Sequence, residues 1–257
     1  MSNKNQANQN TFISHLSELR SRLLKSFIFL IISFIICYFF SEEIYKFLVK
    51  PYSDAVLENN LDRRLIFTAL HEAFLTYLKV AFFASFFITS PIFISQIWKF
   101  VAPGLYRNEK RAIMPFLLAT PLLFMLGAAM VYYVVIPLAW EFFLSFEVAG
   151  GEGALPIEVE PRISEYLSLV MRLMFAFGVS FELPVILLLL VRAGIVTADD
   201  LAGKRKYAIL LAFIAAAILT PPDVISQVML AVPVIILYEI SIIGARIIGR
   251  PPESDDD

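Results

Sequence analysis

Residues 167–191 read LSLVMRLMFAFGVSFELPVILLLLV, a 25-residue apolar run holding Arg172 near its start, Glu182 past its middle and Pro184 two positions further on. As a helix this run is long enough to cross a hydrocarbon core of about 30 Å. Its reading decides the fold, because the carboxylate is the one feature that argues against a span. On an insertion scale an acid at a helix centre costs roughly 3 kcal/mol. A residue that costly needs a partner or a purpose. Arg172 is not the partner: ten residues along one helix is roughly 15 Å of rise, and the wrong face.

The rest of the chain agrees with a span. Of 257 residues 59% are hydrophobic and 17% charged, with 24 Phe. Soluble domains sit nearer 25% charged, so the composition is that of a polytopic membrane protein. Apolar runs fall at about 26–40, 74–98, 112–138, 167–191, 207–220 and 224–244. The first follows Arg20, Arg22 and Lys25 but ends in SEEIYKF, with no small-residue cleavage site, and is read as an uncleaved helix. The expected fold is all-α: six transmembrane helices in a bent, concave bundle, forming a single domain over 1–257. Residues 1–10 are expected to be a disordered tail, 11–25 a cytoplasmic amphipathic segment and 250–257 a solvated acidic tail.

Orientation comes from the basic residues. Six spans put 1–25, 99–111, 192–206 and the C-terminal tail on one side with 14 Lys and Arg, and 41–73 and 139–166 on the other with 5. The positive-inside rule then leaves both termini in the cytoplasm. Run five is the exception in length. Its 14 residues between Lys206 and Pro221-Pro222-Asp223 rise about 21 Å, so its outer turn is expected to be recessed or the bilayer thinned. Pro91, Pro115, Pro121, Pro137, Pro184 and Pro233 each remove a backbone donor from an apolar helix.

Enzyme chemistry finds no foothold. His71-Glu72 is followed by Leu75, which removes the two-histidine zinc helix. The sequence has one cysteine, Cys37, no Cys/His cluster, no nucleophile elbow and no glycine-rich phosphate loop. Intramembrane aspartyl chemistry needs two aspartates, and the acids within spans are Glu182 and Glu239, the latter near a helix end from which it can snorkel. No cofactor, metal or nucleic acid is expected.

The cytoplasmic segments carry the more specific pattern. In FISHLSELRSRLLKS, Phe12, Leu16, Leu19 and Leu23 line one helical side, with His15, Glu18 and Arg22 on another; Glu18 and Arg22 are also an i,i+4 pair. Its plain reading is an interfacial helix with a solvated polar face. In WKFVAPGLYRNEKRAIMP, Glu109 stands amid Arg107, Lys110 and Arg111, either as local charge balance or as an acid meant for a guest. Two further readings stay open from the residues alone: an ion-coupled small-solute carrier using Glu182, and a passive scaffold. The first predicts repeated halves, and no internal repeat is visible.

HLSELRSRL (15–23), SQIWKFVAPGLYRNEKR (95–111), FGVSFELPV (177–185) and LTPPDVISQVMLAVPVIILYEI (219–240) resemble the TatC family, the core subunit of the twin-arginine protein translocase. The resemblance runs in order through nearly the whole chain; Asn108 stands where the family commonly has a basic residue. It implies a receptor for signal peptides with paired arginines and a scaffold for exporting folded proteins across the cytoplasmic membrane, driven by the proton-motive force. It also implies TatA- and TatB-type single-span partners and a homo-oligomer within a receptor complex. Carried over by position, Glu18 and Glu109 would contact the arginine pair, with Phe100 close by. Glu182 would be an intramembrane polar site, Thr220 and Gln227 a partner-helix site, and Pro51 and Asp223 functional positions on the external side.

Overall fold

The computed structural model describes residues 2–58, 64–105, 110–147, 159–219 and 224–248; the side chains of 2–16, 18, 19, 97–105, 110–114, 117, 225 and 226 lie outside that description. Everything described is helix or short connection, apart from one isolated parallel bridge between Ile66 and Arg162. The helices are α1 (Ser2–Phe39), α2 (Ser41–Glu58), α3 (Glu72–Leu105), α4 (Lys110–Met130), α5 (Ile136–Leu144), α6 (Ile163–Phe181), α7 (Leu183–Arg192), α8 (Ala198–Gly203), α9 (Arg205–Leu219) and α10 (Val224–Ile248), with a π turn at Val131–Val135. By length and composition five helical segments can cross a membrane: Arg20–Phe39, Glu72–Gln96, Leu118–Leu144, Ile163–Arg192 and Gln227–Ile248. The 15 residues of α9 fall below that length.

Two differences from the sequence expectation stand out. The polar opening, the amphipathic segment and the first apolar run are one helix from Ser2, not a tail followed by separate pieces. Residues 41–58, expected as loop, fold as α2 straight through Pro51. The signal was there: Leu48, Tyr52, Ala55 and Val56 are all buried, at the spacing of one helical face. Pro51 lacks a backbone donor, and the burial of that face outweighs the loss.

The chain forms two compact units, Met1–Tyr45 with Tyr77–Pro121, and Lys46–Thr76 with Leu122–Asp257. In the first, Cys37 of α1 is buried with Ala81 and Ala84 of α3, small residues that let the two backbones approach. Phe34 meets Phe82 edge-on at 6.3 Å between ring centres. Arg22 donates to the amide oxygen of Gln96 at 3.1 Å, an inter-helix contact that the Glu18–Arg22 spacing did not foretell. Hydroxyls along α3 bond back onto their own helix. Ser90 donates to Phe87 O at 2.7 Å, and Phe87 is the residue whose carbonyl Pro91 leaves without a donor.

In the second unit α10 packs against α6, α7, α8 and α9. Val191, Leu201, Tyr238, Ile242 and Ala245 form a buried cluster there. The α6–α7 pair ends in a tight reversal at Gly194, whose φ of 71° is one an L side chain rarely adopts. Gly194 N–H bonds Val191 O at 3.0 Å, and Ile195 N–H bonds Leu190 O at 3.1 Å. A capping box opens α8: Thr197 Oγ1 accepts from Asp200 N–H at 3.1 Å and the Asp200 carboxylate accepts from Thr197 N–H at 3.0 Å. The Thr197 hydroxyl holds the Asp200 carboxyl below its usual range.

Candidate functional site

Glu182 lies at the break between α6 and α7. Pro184 has no N–H for the carbonyl of Ser180, so the helical ladder is interrupted there. The chain turns through Glu182 at φ −74° and ψ −13°, its N–H on Val179 O at 3.1 Å and its carbonyl accepting from Ile186 N–H at 3.0 Å. The side chain is 8% exposed, between the buried residues Phe181, Pro184 and Val185. Arg172, by contrast, is exposed on α6, as the helical geometry required. A carboxyl is thus held inside protein at a helix discontinuity. That is where a polar group at membrane depth can be accommodated.

Gln227 is half-buried near the start of α10, its amide Nε2 donating to Phe213 O of α9 at 3.2 Å. The amide therefore ties together the hairpin to which the partner-helix role was assigned. Thr220 and Asp223 lie outside the described residues, as does Glu109. Glu18 and Phe100 sit on the α1 and α3 backbones, with their side chains outside the described set.

At the other end of α9, Glu239 is not snorkelling alone as the sequence suggested. Arg205 grips it with both arms of the guanidinium, Nε to Oε1 at 2.7 Å and Nη2 to Oε2 at 2.9 Å. Tyr238, one residue earlier, donates its hydroxyl to Leu201 O of α8 at 2.7 Å. The two contacts bind the start of α9 and the whole of α8 to α10.

Pro51 is buried in α2 and lines an open cleft of about 310 Å³ with Lys50, Asp54, Tyr132, Tyr133 and Glu141. Sequence reasoning missed the aromatic residues that frame it. Tyr52, Trp140 and Tyr166 form a cluster joining α2, α5 and α6, with ring centres 4.6 to 6.0 Å apart. It also missed the work of Glu72. The Glu72 carboxylate is buried and accepts from Thr68 N–H at 2.7 Å, Thr68 Oγ1 at 3.1 Å, Ala69 N–H at 3.3 Å and the Ser164 hydroxyl. Together with the Ile66–Arg162 bridge it fastens residues 66–72 to the first turn of α6. The residue dismissed as half of a zinc motif is a structural knot.

Long apolar helices, a buried acid at a helix break and charged groups gathered at helix ends define a multi-pass membrane protein. Comparison with known proteins narrows this. Residues 14–233 match the family described as Sec-independent protein translocase protein (TatC). The TatC protein of Magnetococcus marinus is 51% identical over 238 residues, 93% of this chain and 84% of that protein. That of Escherichia coli K12 is 39% identical over 234 residues, covering 91% and 87%. A crystal structure described as the twin arginine translocase receptor TatC superposes with a TM-score of 0.76 at 39% identity, covering 92% of this chain and all of that one. The chain belongs to the TatC family. It is a membrane component of the Sec-independent protein translocase, a transport subunit rather than an enzyme, and works with other components of that translocase.

Proposed function

We propose that the chain is the translocase's receptor for twin-arginine signal peptides and the membrane scaffold for export of folded proteins, powered by the proton-motive force. The match that runs through almost the whole chain to proteins of this family carries the reading, since solved relatives are described as twin-arginine translocase receptors. Six helices cross the cytoplasmic membrane, the short α9 among them, and both termini lie inside; the 14-to-5 distribution of Lys and Arg supports this. The 15 residues of α9 rise about 22 Å, so the α9–α10 turn is recessed or the bilayer thins around it.

Glu18 and Glu109 receive the arginine pair beside Phe100. Arginine suits this task, because its planar fork pairs with a carboxylate through two parallel hydrogen bonds. Exposed pairs contribute only about 0.2–1 kcal/mol each. Specificity therefore comes from the acids, and most of the affinity from burying the apolar part of the signal peptide at about 25 cal/mol per Å². Glu182 provides the polar point of a groove that admits guest helices. Thr220 and Gln227 receive the single helix of a TatA- or TatB-type partner, Pro51 and Asp223 act on the external side, and several copies assemble in one receptor complex.

The test is a photo-crosslinker at position 109, in membranes presented with a twin-arginine or a twin-lysine precursor. Crosslinking selective for the arginine pair, and precursor binding weakened by Glu109→Gln at unchanged membrane insertion, is the expected result. Equal yields for both precursors, unaffected by the substitution at position 109, would refute the receptor role.

A further inference from the structure

Pro51 offers no N–H to the carbonyl of Phe47, four residues back in α2. In α3 the equivalent orphan is served locally by Ser90, the residue just before Pro91. In α2 the residue before the proline is Lys50, which has no hydroxyl and no comparable short reach. The donor arrives instead from 85 residues away. Tyr132 Oη donates to Phe47 O at 2.8 Å, and its ring lies flat on the Phe47 ring, 4.4 Å between centres and 3° between planes. The next carbonyl, that of Leu48, accepts from Tyr166 Oη at 2.9 Å. Leu48 and Tyr52, on either side of Pro51, are 2% and 4% exposed.

Tyr132 stands close to a second proline. It sits in the π turn ahead of Pro137, where Ile136 N–H reaches back five residues to Val131 O. In that turn Tyr132 is 7% exposed, while its neighbour Tyr133 is at 70%.

We infer that Tyr132 is the positioning residue of α2 at Pro51: its hydroxyl serves the carbonyl the proline leaves without a backbone donor, locking the turn of α2 ahead of Pro51 to the π turn. One side chain thereby joins the two proline-bearing elements, beside the cleft that Lys50, Asp54 and Glu141 line. The functional meaning of this interlock rests on the external-side role proposed for Pro51, whereas the interlock itself is a matter of geometry.

Two readouts separate the two. Ala55, 8% exposed in α2, is replaced by cysteine in a Cys37→Ser background, and its labelling by a membrane-impermeant maleimide is timed. Tyr132→Phe should accelerate labelling roughly 2- to 12-fold, the shift in an opening equilibrium that one lost hydrogen bond produces. Incorporating 4-aminophenylalanine at 132, which keeps a donor at the ring's end, should restore the slow rate. With Pro51→Ala, residue 51 supplies its own N–H, and Tyr132→Phe should change nothing. Equal acceleration in both backgrounds, or no rescue by the amino analogue, overturns the inference. Thermal unfolding of the same set without the added cysteine gives an independent version of the cycle. Export of a twin-arginine reporter is then followed: normal export by Tyr132→Phe, alongside the expected labelling pattern, would refute the external-side role of Pro51 and leave the interlock intact.

Discussion

Replacing Gly127 by alanine adds one methyl group where α4 crosses α6, and the structure sets its cost. A Cβ built on Gly127 would stand 2.6 Å from Phe177 O, 2.8 Å from Phe177 C and 3.0 Å from Gly178 Cα, all of them backbone atoms. Ordinary contact begins near 3.4 Å, so the helices must part by about 0.8 Å at this point. No side chain can swing aside to spare them. Overpacking of this kind costs about 1–3 kcal/mol. Within a bilayer little returns it, because lipid tails are as apolar as the surfaces being separated. At roughly 2–4 °C per kcal/mol for a chain of this size, Tm should fall by about 2–12 °C. Two other glycines calibrate the result. A Cβ at Gly178 meets only the Phe124 ring, 2.7 Å from Cε2, and a ring edge can rotate; a Cβ at Gly203 meets nothing within 4 Å. Thermal unfolding of the purified variants in detergent, read by size-exclusion chromatography, should rank Gly127→Ala least stable, Gly178→Ala intermediate and Gly203→Ala equal to or above the parent. Should Gly127→Ala unfold at the same temperature as Gly203→Ala, the close approach of α4 and α6 is wrong.

Two further outcomes test the polar groups. Glu182→Gln and Glu182→Ala should both insert and remain folded, since each removes a carboxyl that is costly to bury, while export of a twin-arginine reporter falls most in the alanine variant. An alanine variant that unfolds beside a wild-type-like glutamine variant would make Glu182 a structural anchor and end its functional reading. Arg205→Lys keeps the charge but loses the two-armed grip on Glu239. With both side chains 40–44% exposed the loss should be small, within about 1 kcal/mol, and should shrink in high salt. A drop of several kcal/mol in chemical denaturation would show that this pair is far better shielded than its exposure indicates.

Much of the architecture was legible because a bilayer imposes length and charge rules that a linear pattern can meet. Five of the six apolar runs correspond to helices long and apolar enough to cross it. The sixth, α9, has the brevity its flanking Lys204-Arg205-Lys206 and Pro221-Pro222 implied. Glu182 announced itself by its cost, and the helix does break there. What escaped was whatever depends on a distant partner. Glu72 looked like a failed metal ligand, because nothing in ALHEAFLTYL indicates that Ser164 will donate to it. Glu239 looked free to snorkel, because Arg205 is 34 positions away in sequence.

The prolines state the division most clearly. From the sequence alone each proline identifies, four residues back, the carbonyl that will lack a donor, since the missing N–H is a covalent fact. Where the remedy is also local, as with Ser90 before Pro91, the sequence holds both halves of the answer. For Pro51 it holds only the vacancy. That Tyr132 fills it depends on how α2 packs beside a π turn, and on a ring stack that brings an oxygen to within 2.8 Å of Phe47 O. Hydrogen bonds are short and directional, so a donor separated by 85 residues can be recognised only once the chain has folded to bring it there.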